Sequence, residues 1–241
     1  MLLALILVAA VVAVLAIMLP VVDRLVAAQA ERKASEYLSA PFGHPATVRV
    51  HAKPFLTQAL RGRYSEVEVL GRLRIGDFSG ATLVAHLTNA YLPVRELLGG
   101  RATELPCERV EARLLLPYPE LARVSRIPGL SLAFDGDRLL TTAALPVPGI
   151  SQLARVTGEA VLSLTRRGGV WLSMRGVSVA GISLPSGVLS QLMPTLSVPI
   201  PLPTLPYGLR FDGLRPTAGG LEVAGSADAV VLHRRPRPVP A

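Results

Sequence analysis

The chain has 241 residues and a formal net charge of +8, and 50% of its residues are hydrophobic while only 5% are aromatic. This length allows one large domain or two small ones, with a substantial buried core. A surface that stacks nucleic-acid bases needs aromatic side chains among its basic residues, and no basic stretch of this chain has them. We therefore expect no nucleic-acid partner. The positive charge, nearly all of it from arginine, either faces anionic lipid or is simply solvated.

Residues that carry chemistry are sparse. Cys107 is the only cysteine, so the chain forms no internal disulfide, and we expect this thiol to be buried and structural. The histidines lack the spacing of metal ligands, and the sequence has neither a nucleophile elbow nor a phosphate-binding glycine loop. We therefore expect a protein that is not an enzyme and that holds no metal and no cofactor. The four histidines are His44, His51, His86 and His233.

Residues 1–22 are apolar throughout, apart from Pro20, and are long enough to cross a bilayer as a helix. No basic residue precedes this run, and it is longer than the apolar part of most signal peptides, which favours a retained anchor over a cleaved signal. Cleavage stays open, because Ala28-Gln29-Ala30 fits a cleavage site. In both cases we expect the rest of the chain to be exported, at the cell membrane and facing the extracytoplasmic or periplasmic space.

The composition next predicts a modestly amphipathic helix over residues 20–40, which leaves the membrane as a stalk and docks on a sheet. Residues 51–70 then join two strands through a short helix. The apolar residues that follow Pro54 have the spacing of a two-turn helix, and Gly62 stands where a glycine ends one. We interpret this strand, helix and return strand as a lid over the mouth of a lipid-sized apolar cavity.

The remaining chain alternates apolar and polar residues, which predicts a mostly β (α+β) fold with a long, curved antiparallel sheet and short capping helices. Asp135-Gly136 predicts a tight hairpin turn, and the prolines around Pro199 predict an extended edge or connector. We predict strands at residues 46–51, 64–75, 80–92, 107–116, 130–134, 138–144, 158–165, 170–179, 209–214 and 221–232. We predict short helices or helical turns at residues 54–60, 93–98, 118–126 and 186–196.

Two stretches resemble the LmeA family of actinobacterial envelope proteins. They are residues 53–69, Lys-Pro-Phe-Leu-Thr-Gln-Ala-Leu-Arg-Gly-Arg-Tyr-Ser-Glu-Val-Glu-Val, and residues 205–225, Leu-Pro-Tyr-Gly-Leu-Arg-Phe-Asp-Gly-Leu-Arg-Pro-Thr-Ala-Gly-Gly-Leu-Glu-Val-Ala-Gly. The resemblance implies a tubular lipid-binding (TULIP-like) fold, in which a curved sheet wraps a long N-terminal helix. It also implies binding of phospholipids, including phosphatidylinositol-type lipids, and a part in mannan and lipoglycan assembly in the cell envelope.

We accordingly predict a membrane-anchored phospholipid-binding protein, with lipid transfer as one form of that function, whose partners are the membrane and an anionic phospholipid. The alternative is a non-catalytic scaffold that stabilises an envelope glycosyltransferase by protein contacts, with its hollow filled by core side chains. Arg61 and Arg63 are candidates to meet an anionic headgroup. The predicted lipid-binding residues are Phe55, Leu56, Leu60, Arg61, Arg63, Tyr64, Val67, Val69, Leu114 and Leu116. The predicted domains are an anchor or signal at residues 1–22, a lipid-binding domain at 23–232 and a basic disordered tail at 233–241.

Overall fold

The structure is a computed structural model. It describes residues 2–39, 46–51, 54–75, 77–93, 95–96, 99, 104–146, 152–164, 170–179, 182–183, 187, 197–200 and 208–233, and in the first helix the side chains of residues 18–36. The predicted basic tail at 233–241 lies outside these residues except for His233, which is the last residue of a strand. Most of the predicted helix at 186–196 also lies outside them.

Three helices lie in the described part of the chain: α1 (Leu2–Ser39), α2 (Phe55–Arg61) and α3 (Tyr118–Ser125). The two short ones confirm the sequence prediction to within one or two residues. α1 runs unbroken through Pro20, so the apolar segment and the predicted stalk form one continuous helix. Within the residues searched, no helix has an apolar stretch long enough to cross a membrane. The predicted anchor depends mainly on residues 1–17, whose side chains the structure does not describe.

The strands form two six-stranded sheets, and every pairing with a described register is antiparallel. The mostly β class with an N-terminal helix is confirmed, while two sheets replace the single long sheet that the sequence predicted. The first sheet has the order β1-β2-β3-β4-β12-β11, and the second has the order β10-β8-β7-β6-β5, with β9 paired to β8. The strands are β1 (Thr47–Val50), β2 (Arg63–Ile75), β3 (Phe78–Tyr91), β4 (Glu104–Leu116), β5 (Ser131–Phe134), β6 (Leu139–Pro146), β7 (Leu153–Leu164), β8 (Val170–Val179), β9 (Ile182–Ser183), β10 (Ser197–Ile200), β11 (Arg210–Thr217) and β12 (Gly220–His233).

The chain divides into two compact units. Unit 1 contains Met1–Gly71, Val84–Val110 and Ala227–Ala241, and unit 2 contains Arg72–Leu83 and Glu111–Ser226. In unit 2, the inward residues of β6, β7 and β8 pack into a hydrophobic cluster: Ala143, Leu145, Val156, Met174 and Val177.

The proline-rich segment of unit 2 contributes an edge strand, as the sequence predicted. β10 lies at the end of its sheet, and Pro199 is paired opposite Trp171 of β8. A proline is tolerated in an edge strand, because the N–H that it lacks would face the side where no second strand is present to accept it. The Asp135-Gly136 hairpin is also confirmed, with Gly136 at a positive φ of 90°. Its connection is longer than a two-residue turn, since Phe134 pairs with Leu139.

In unit 1, three neighbouring strands break the alternation of buried and exposed residues along one row. Asn89 in β3 and Ala229 in β12 have left-handed backbones, with φ of 51° and 52°, and β4 exposes Glu108 and Arg109 in succession. The row is tied together by the Asn89 amide, which donates to Glu108 at 2.6 Å, and by an ion pair of 3.3 Å between Arg109 and Asp228. Each of these irregular positions acts as an extra residue in its strand, and an extra residue shifts the buried face of the strand by one position.

Candidate functional site

Helix α1 covers the free edge of β1. In an edge strand, alternate N–H groups have no neighbouring strand to bond, and proteins often cover them with a helix. Here the Val48 N–H donates to the Ser35 hydroxyl at 3.2 Å, and the Val50 N–H donates to the Glu31 carboxylate at 3.0 Å. Ser35 and Glu31 are four residues apart and therefore lie on one face of α1. This face sets α1 alongside the strand.

The same helix also caps α2. The N-cap residue of α2 is Pro54, whose side chain makes no capping hydrogen bond. The Asp23 carboxylate of α1 takes that role, accepting from the N–H of Phe55 at 3.0 Å and from the N–H of Leu56 at 2.7 Å. A carboxylate is favoured there because the first N–H groups of a helix lack internal partners and carry partial positive charge. Asp23 thus joins α1 to α2.

Gly62 ends α2 and turns the chain into β2. Its φ of 66° and ψ of 18° are left-handed, a conformation that glycine adopts without a steric penalty. The Gly62 N–H donates to the carbonyl of Ala59, and its own carbonyl accepts from the Leu92 N–H at 2.8 Å. A methyl group at Gly62 would lie 3.2 Å from the Pro93 Cα. The predicted helix stop is confirmed, and it fixes Phe55 and Ala59 on the inward face of α2.

A cavity lies in unit 1 between α1, α2 and the sheet. Its volume is about 40 Å³. A single water molecule needs about 10–15 Å³ on this measure, so the cavity has room for about three waters. It is lined by Ala30 and Ala34 of α1, Val48 and Val50 of β1, Phe55 of α2, Tyr64 and Val67 of β2, Ala90 of β3, Leu92 just after β3, and Leu105 of β4.

The surface of the cavity is apolar throughout. α1 contributes only alanines, so its wall of the cavity is thin. The rings of Phe55 and Tyr64 pack together with centroids 5.8 Å apart and planes tilted by 33°. The Tyr64 hydroxyl is buried and has no hydrogen-bond partner among the described residues. Burial raises the pKa of Tyr64 above its usual value of 10.0, so the hydroxyl is protonated at neutral pH.

The structure brings three of the predicted lipid-binding residues together. Phe55, Tyr64 and Val67 line the cavity, and Val69 is buried on the same face of β2, two residues beyond Val67. Leu56 is half-buried on α2. These five residues all belong to residues 51–70, the stretch in which Pro54, the helical spacing of apolar residues and Gly62 gave the strongest local signals.

The other predicted residues lie elsewhere. Leu60 is 85% exposed, and Arg61 and Arg63 are exposed on either side of Gly62. Leu114 and Leu116 are buried in unit 2 and do not line the unit 1 cavity.

Sequence reasoning missed the remaining walls of the cavity. Ala30 and Ala34 are four residues apart on one helical face, but alanine is common throughout α1, so their spacing does not distinguish them. Ala90 and Leu92 were hidden because the left-handed Asn89 interrupts the alternation of β3. The predicted cavity was lipid-sized, whereas the cavity here is far smaller, because the Phe55 and Tyr64 rings and the close approach of α1 occupy the space.

Other candidate groups serve structural roles. Cys107 is buried as predicted, and burial raises the pKa of its thiol to about 12, which leaves it unreactive at neutral pH. His51 pairs with Glu68 at 3.2 Å, and His86 with Glu66 at 3.6 Å, on the outer face of the sheet. No group of three or more potential metal ligands occurs within the described residues.

Comparison with known proteins decides the family of this chain. Residues 21–226 match the family described as LmeA-like phospholipid-binding, a match that covers most of the chain. The chain belongs to the LmeA-like family. Membership supports phospholipid binding by this chain and agrees with an apolar cavity in unit 1. No curated protein and no solved structure matches this LmeA-like chain.

Proposed function

We propose that this LmeA-like protein is a non-catalytic, membrane-anchored carrier or receptor of phospholipid, exposed on the extracytoplasmic side and supporting lipoglycan or mannan assembly in the cell envelope. An acyl chain of the lipid binds in unit 1, between α1 and the sheet. The observation that carries the proposal is the apolar cavity under α1 in a chain of a phospholipid-binding family.

Admission of an acyl chain requires α1 to move outward. Asp23, Glu31 and Ser35 of α1 make four hydrogen bonds to neighbouring elements, of which the three to carboxylates are worth about 1.5–3 kcal/mol each and the one to the Ser35 hydroxyl about 0.5–1.5 kcal/mol. Burial of an acyl chain from water returns about 0.8 kcal/mol per methylene. Roughly 6–13 methylenes buried from water therefore offset the loss of these four bonds, and a long phospholipid acyl chain supplies methylenes in that range.

The exposed surface of unit 1 supports placement at a membrane. The end of the apolar N-terminal run of α1, together with Leu25 just after it, keeps large apolar side chains in solvent, and Leu60 on α2 is 85% exposed. Arg61 and Arg63 are exposed next to Leu60 and suit an anionic headgroup. The exposed apolar residues of α1 are Met18, Leu19, Val21, Val22 and Leu25.

The test of lipid binding uses the full chain purified in mild detergent, followed by lipid extraction and mass spectrometry. Ala34→Phe fills the cavity from the partly buried end of its α1 wall, and Ala28→Phe is the matched control at an exposed position of the same helix. We expect phospholipid with the wild type and with Ala28→Phe, and much less with Ala34→Phe. Equal amounts of bound phospholipid in Ala34→Phe and Ala28→Phe would show that the acyl chain does not bind in this cavity.

The headgroup test compares phosphatidylglycerol, phosphatidylinositol and phosphatidylcholine in competition for the full chain. Each arginine near an anionic surface contributes about 1 kcal/mol. Substituting Arg61 and Arg63 together by glutamine should therefore reduce the preference for the anionic lipids by about tenfold or more. Arg72→Gln, at an exposed position of β2 in unit 2, is the control. An unchanged preference would exclude these two arginines from headgroup binding.

A cellular test separates lipid binding from the scaffold alternative. If the protein acts through bound phospholipid, Ala34→Phe fails to restore lipoglycan assembly in cells that lack the protein. If it acts by holding a glycosyltransferase, the lipid-free variant restores assembly as well as the wild type does.

A further inference from the structure

Leu60 has the most exposed large apolar side chain among the described residues, at 85%. It lies on α2 outside the buried face that Phe55 and Ala59 form. A single exposed leucine is ordinary on a protein surface and needs no explanation by itself. The side chains around Leu60 and its position relative to α1 give this leucine a meaning.

The turn that presents Leu60 to solvent is held on both sides. Gly62 ends α2 with a left-handed backbone, and its carbonyl accepts from the Leu92 N–H at 2.8 Å. The Gln58 side chain accepts from the Ser65 N–H at 2.9 Å, which ties α2 to β2. Leu60 lies between these two attachments, so the fold itself keeps the leucine in solvent.

The surface next to Leu60 is basic. Arg61 and Arg63 are exposed on either side of Gly62, and neither takes part in the described ion pairs. Just after β3, Arg95 and Glu96 are also exposed, and their charges cancel. The net charge around Leu60 is therefore positive, and the partner that fits an apolar side chain between two arginines is an anionic lipid surface.

An exposed tyrosine adjoins the arginines. The bond from the Leu92 N–H to the Gly62 carbonyl sets Arg63 of β2 opposite Tyr91 of β3 in an antiparallel pair. Tyr91 is 51% exposed. Tyrosine is enriched where a membrane meets water, because its ring is apolar and its hydroxyl is polar. Leucine, arginine and tyrosine together are typical of a contact with the membrane interface.

Helix α2 begins at the level where the apolar run of α1 ends. Asp23 directly follows that run, and its carboxylate accepts from the N–H groups of Phe55 and Leu56. Leu60 follows Leu56 by four residues, about 6 Å along the helix axis, and so lies within about 10 Å of Asp23. When residues 1–22 cross a bilayer, Asp23 lies at its surface, where the headgroup layer is about 5–8 Å thick. Leu60 is then within reach of the bilayer.

We propose that Leu60 inserts into an anionic phospholipid bilayer, while Arg61 and Arg63 bind headgroup phosphates and Tyr91 lies in the headgroup layer. The proposal rests on the proposed function, because it takes the apolar run of α1 as the membrane anchor, and it adds a second membrane contact. The inner face of the same short helix supplies Phe55 to the cavity. The contact therefore holds the α2 wall of the cavity against the bilayer that provides the phospholipid.

The test places a small environment-sensitive fluorophore at Thr57→Cys in the full chain, reconstituted in phosphatidylglycerol nanodiscs. Thr57 is exposed and lies three residues before Leu60, on the same side of α2, so Leu60 itself stays intact. Cys107 is buried and does not take the label. Part of the lipid carries a nitroxide near the top of its acyl chain, which quenches a fluorophore at the interface.

We expect strong quenching in phosphatidylglycerol and much less in phosphatidylcholine. Leu60→Ser should lower the ratio of docked to undocked protein by about tenfold or more, because burial of a leucine side chain contributes at least that much. Substituting Arg61 and Arg63 together by glutamine should also lower this ratio by about tenfold or more. Ile182→Ser is the matched control, because Ile182 is 73% exposed and lies in unit 2, and it should leave the quenching unchanged.

The outcomes separate this contact from the lipid site. Absence of quenching in phosphatidylglycerol, or quenching that Leu60→Ser leaves unchanged, would overturn the insertion of Leu60. A blue-shifted emission in detergent that grows with protein concentration, without quenching by lipid, would assign this surface to a second copy of the chain and also overturn the inference. Either result leaves the proposed function intact if the wild type still carries phospholipid and Ala34→Phe does not. If quenching occurs and the wild type carries no phospholipid, the bilayer contact stands and the acyl-chain site fails.

Discussion

Replacing Asp23 by alanine tests how α1 is attached to the rest of unit 1. The Asp23 carboxylate accepts the N–H of Phe55 at 3.0 Å and the N–H of Leu56 at 2.7 Å, 32 and 33 residues further along the chain. Pro54, the local N-cap residue, cannot replace it, because its side chain has no acceptor. The substitution therefore uncaps α2 and removes a link between two helices.

The expected loss of stability follows from these two bonds. Loss of a helix cap costs about 0.5–2 kcal/mol, and hydrogen bonds to a charged group contribute about 1.5–3 kcal/mol each. Asp23 is half-buried, so water partly replaces the lost acceptor. We expect a loss of about 2 kcal/mol in the free energy of unfolding. For a protein of this size, that loss lowers the melting temperature by about 4–8 °C.

The assay is thermal unfolding of the full chain in detergent, monitored by circular dichroism. Arg24→Ala changes the exposed neighbour of Asp23 and should stay within about 0.5 kcal/mol of the wild type. Asp23→Asn keeps one acceptor oxygen but no charge, so its melting temperature should lie between those of Asp23→Ala and Arg24→Ala. If Asp23→Ala has the same melting temperature as Arg24→Ala, Asp23 of α1 does not cap and hold α2.

Three further predictions concern single residues. Gly62→Ala should cost about 1–3 kcal/mol of folding stability in a denaturant titration, because the position is left-handed and a Cβ would lie 3.2 Å from Pro93; a neutral result would contradict the αL turn. Cys107, with a pKa of about 12, should react with iodoacetamide at mildly alkaline pH only after unfolding, and rapid labelling of the native protein would contradict its burial. The hydrogen bond from Arg123, aided by Ser79, lowers the pKa of Glu120 below its usual 4.5, so the stability that this carboxylate contributes is present above pH 4.5 and is lost as the pH falls through its lowered pKa. Glu120→Gln should therefore reduce stability at neutral pH, and the difference from the wild type should shrink in acid; a difference independent of pH would refute the assignment.

Much of the fold was predictable because its signals are local. The alternation of apolar and polar residues located β8 (Val170–Val179) to the residue, and Pro54 and Gly62 bounded α2. The division of the strands between two sheets was not predictable. It depends on which strands pair across long separations, for example β4 with β12, and alternation does not encode that choice.

The site was predicted only in part, and Leu60 shows why. The sequence pattern groups the apolar residues of α2 into one stripe, but successive residues turn by about 100° around a helix. Leu60 therefore lies about 120° from the middle of the buried face formed by Phe55 and Ala59. A two-turn helix that packs on one side leaves such a residue in solvent, and Leu60 is 85% exposed.

The opposite wall of the cavity escaped prediction for another reason. Alanine is common throughout α1, so nothing in the sequence distinguishes Ala30 and Ala34 from their neighbours. Their importance comes from the absence of side-chain bulk at the point where α1 passes over β1. That property appears only when the neighbouring elements are in place.

The most direct measurement maps where the acyl chain lies. A phosphatidylglycerol with a photoactivatable group in its acyl chain is bound to the full chain, irradiated, and located by mass spectrometry of the digested protein. We predict labelled peptides from residues 25–36 of α1 and from residues 47–67, which include β1, α2 and the start of β2. Label confined to the β6–β8 cluster of unit 2, with none on α1, would contradict binding in the unit 1 cavity.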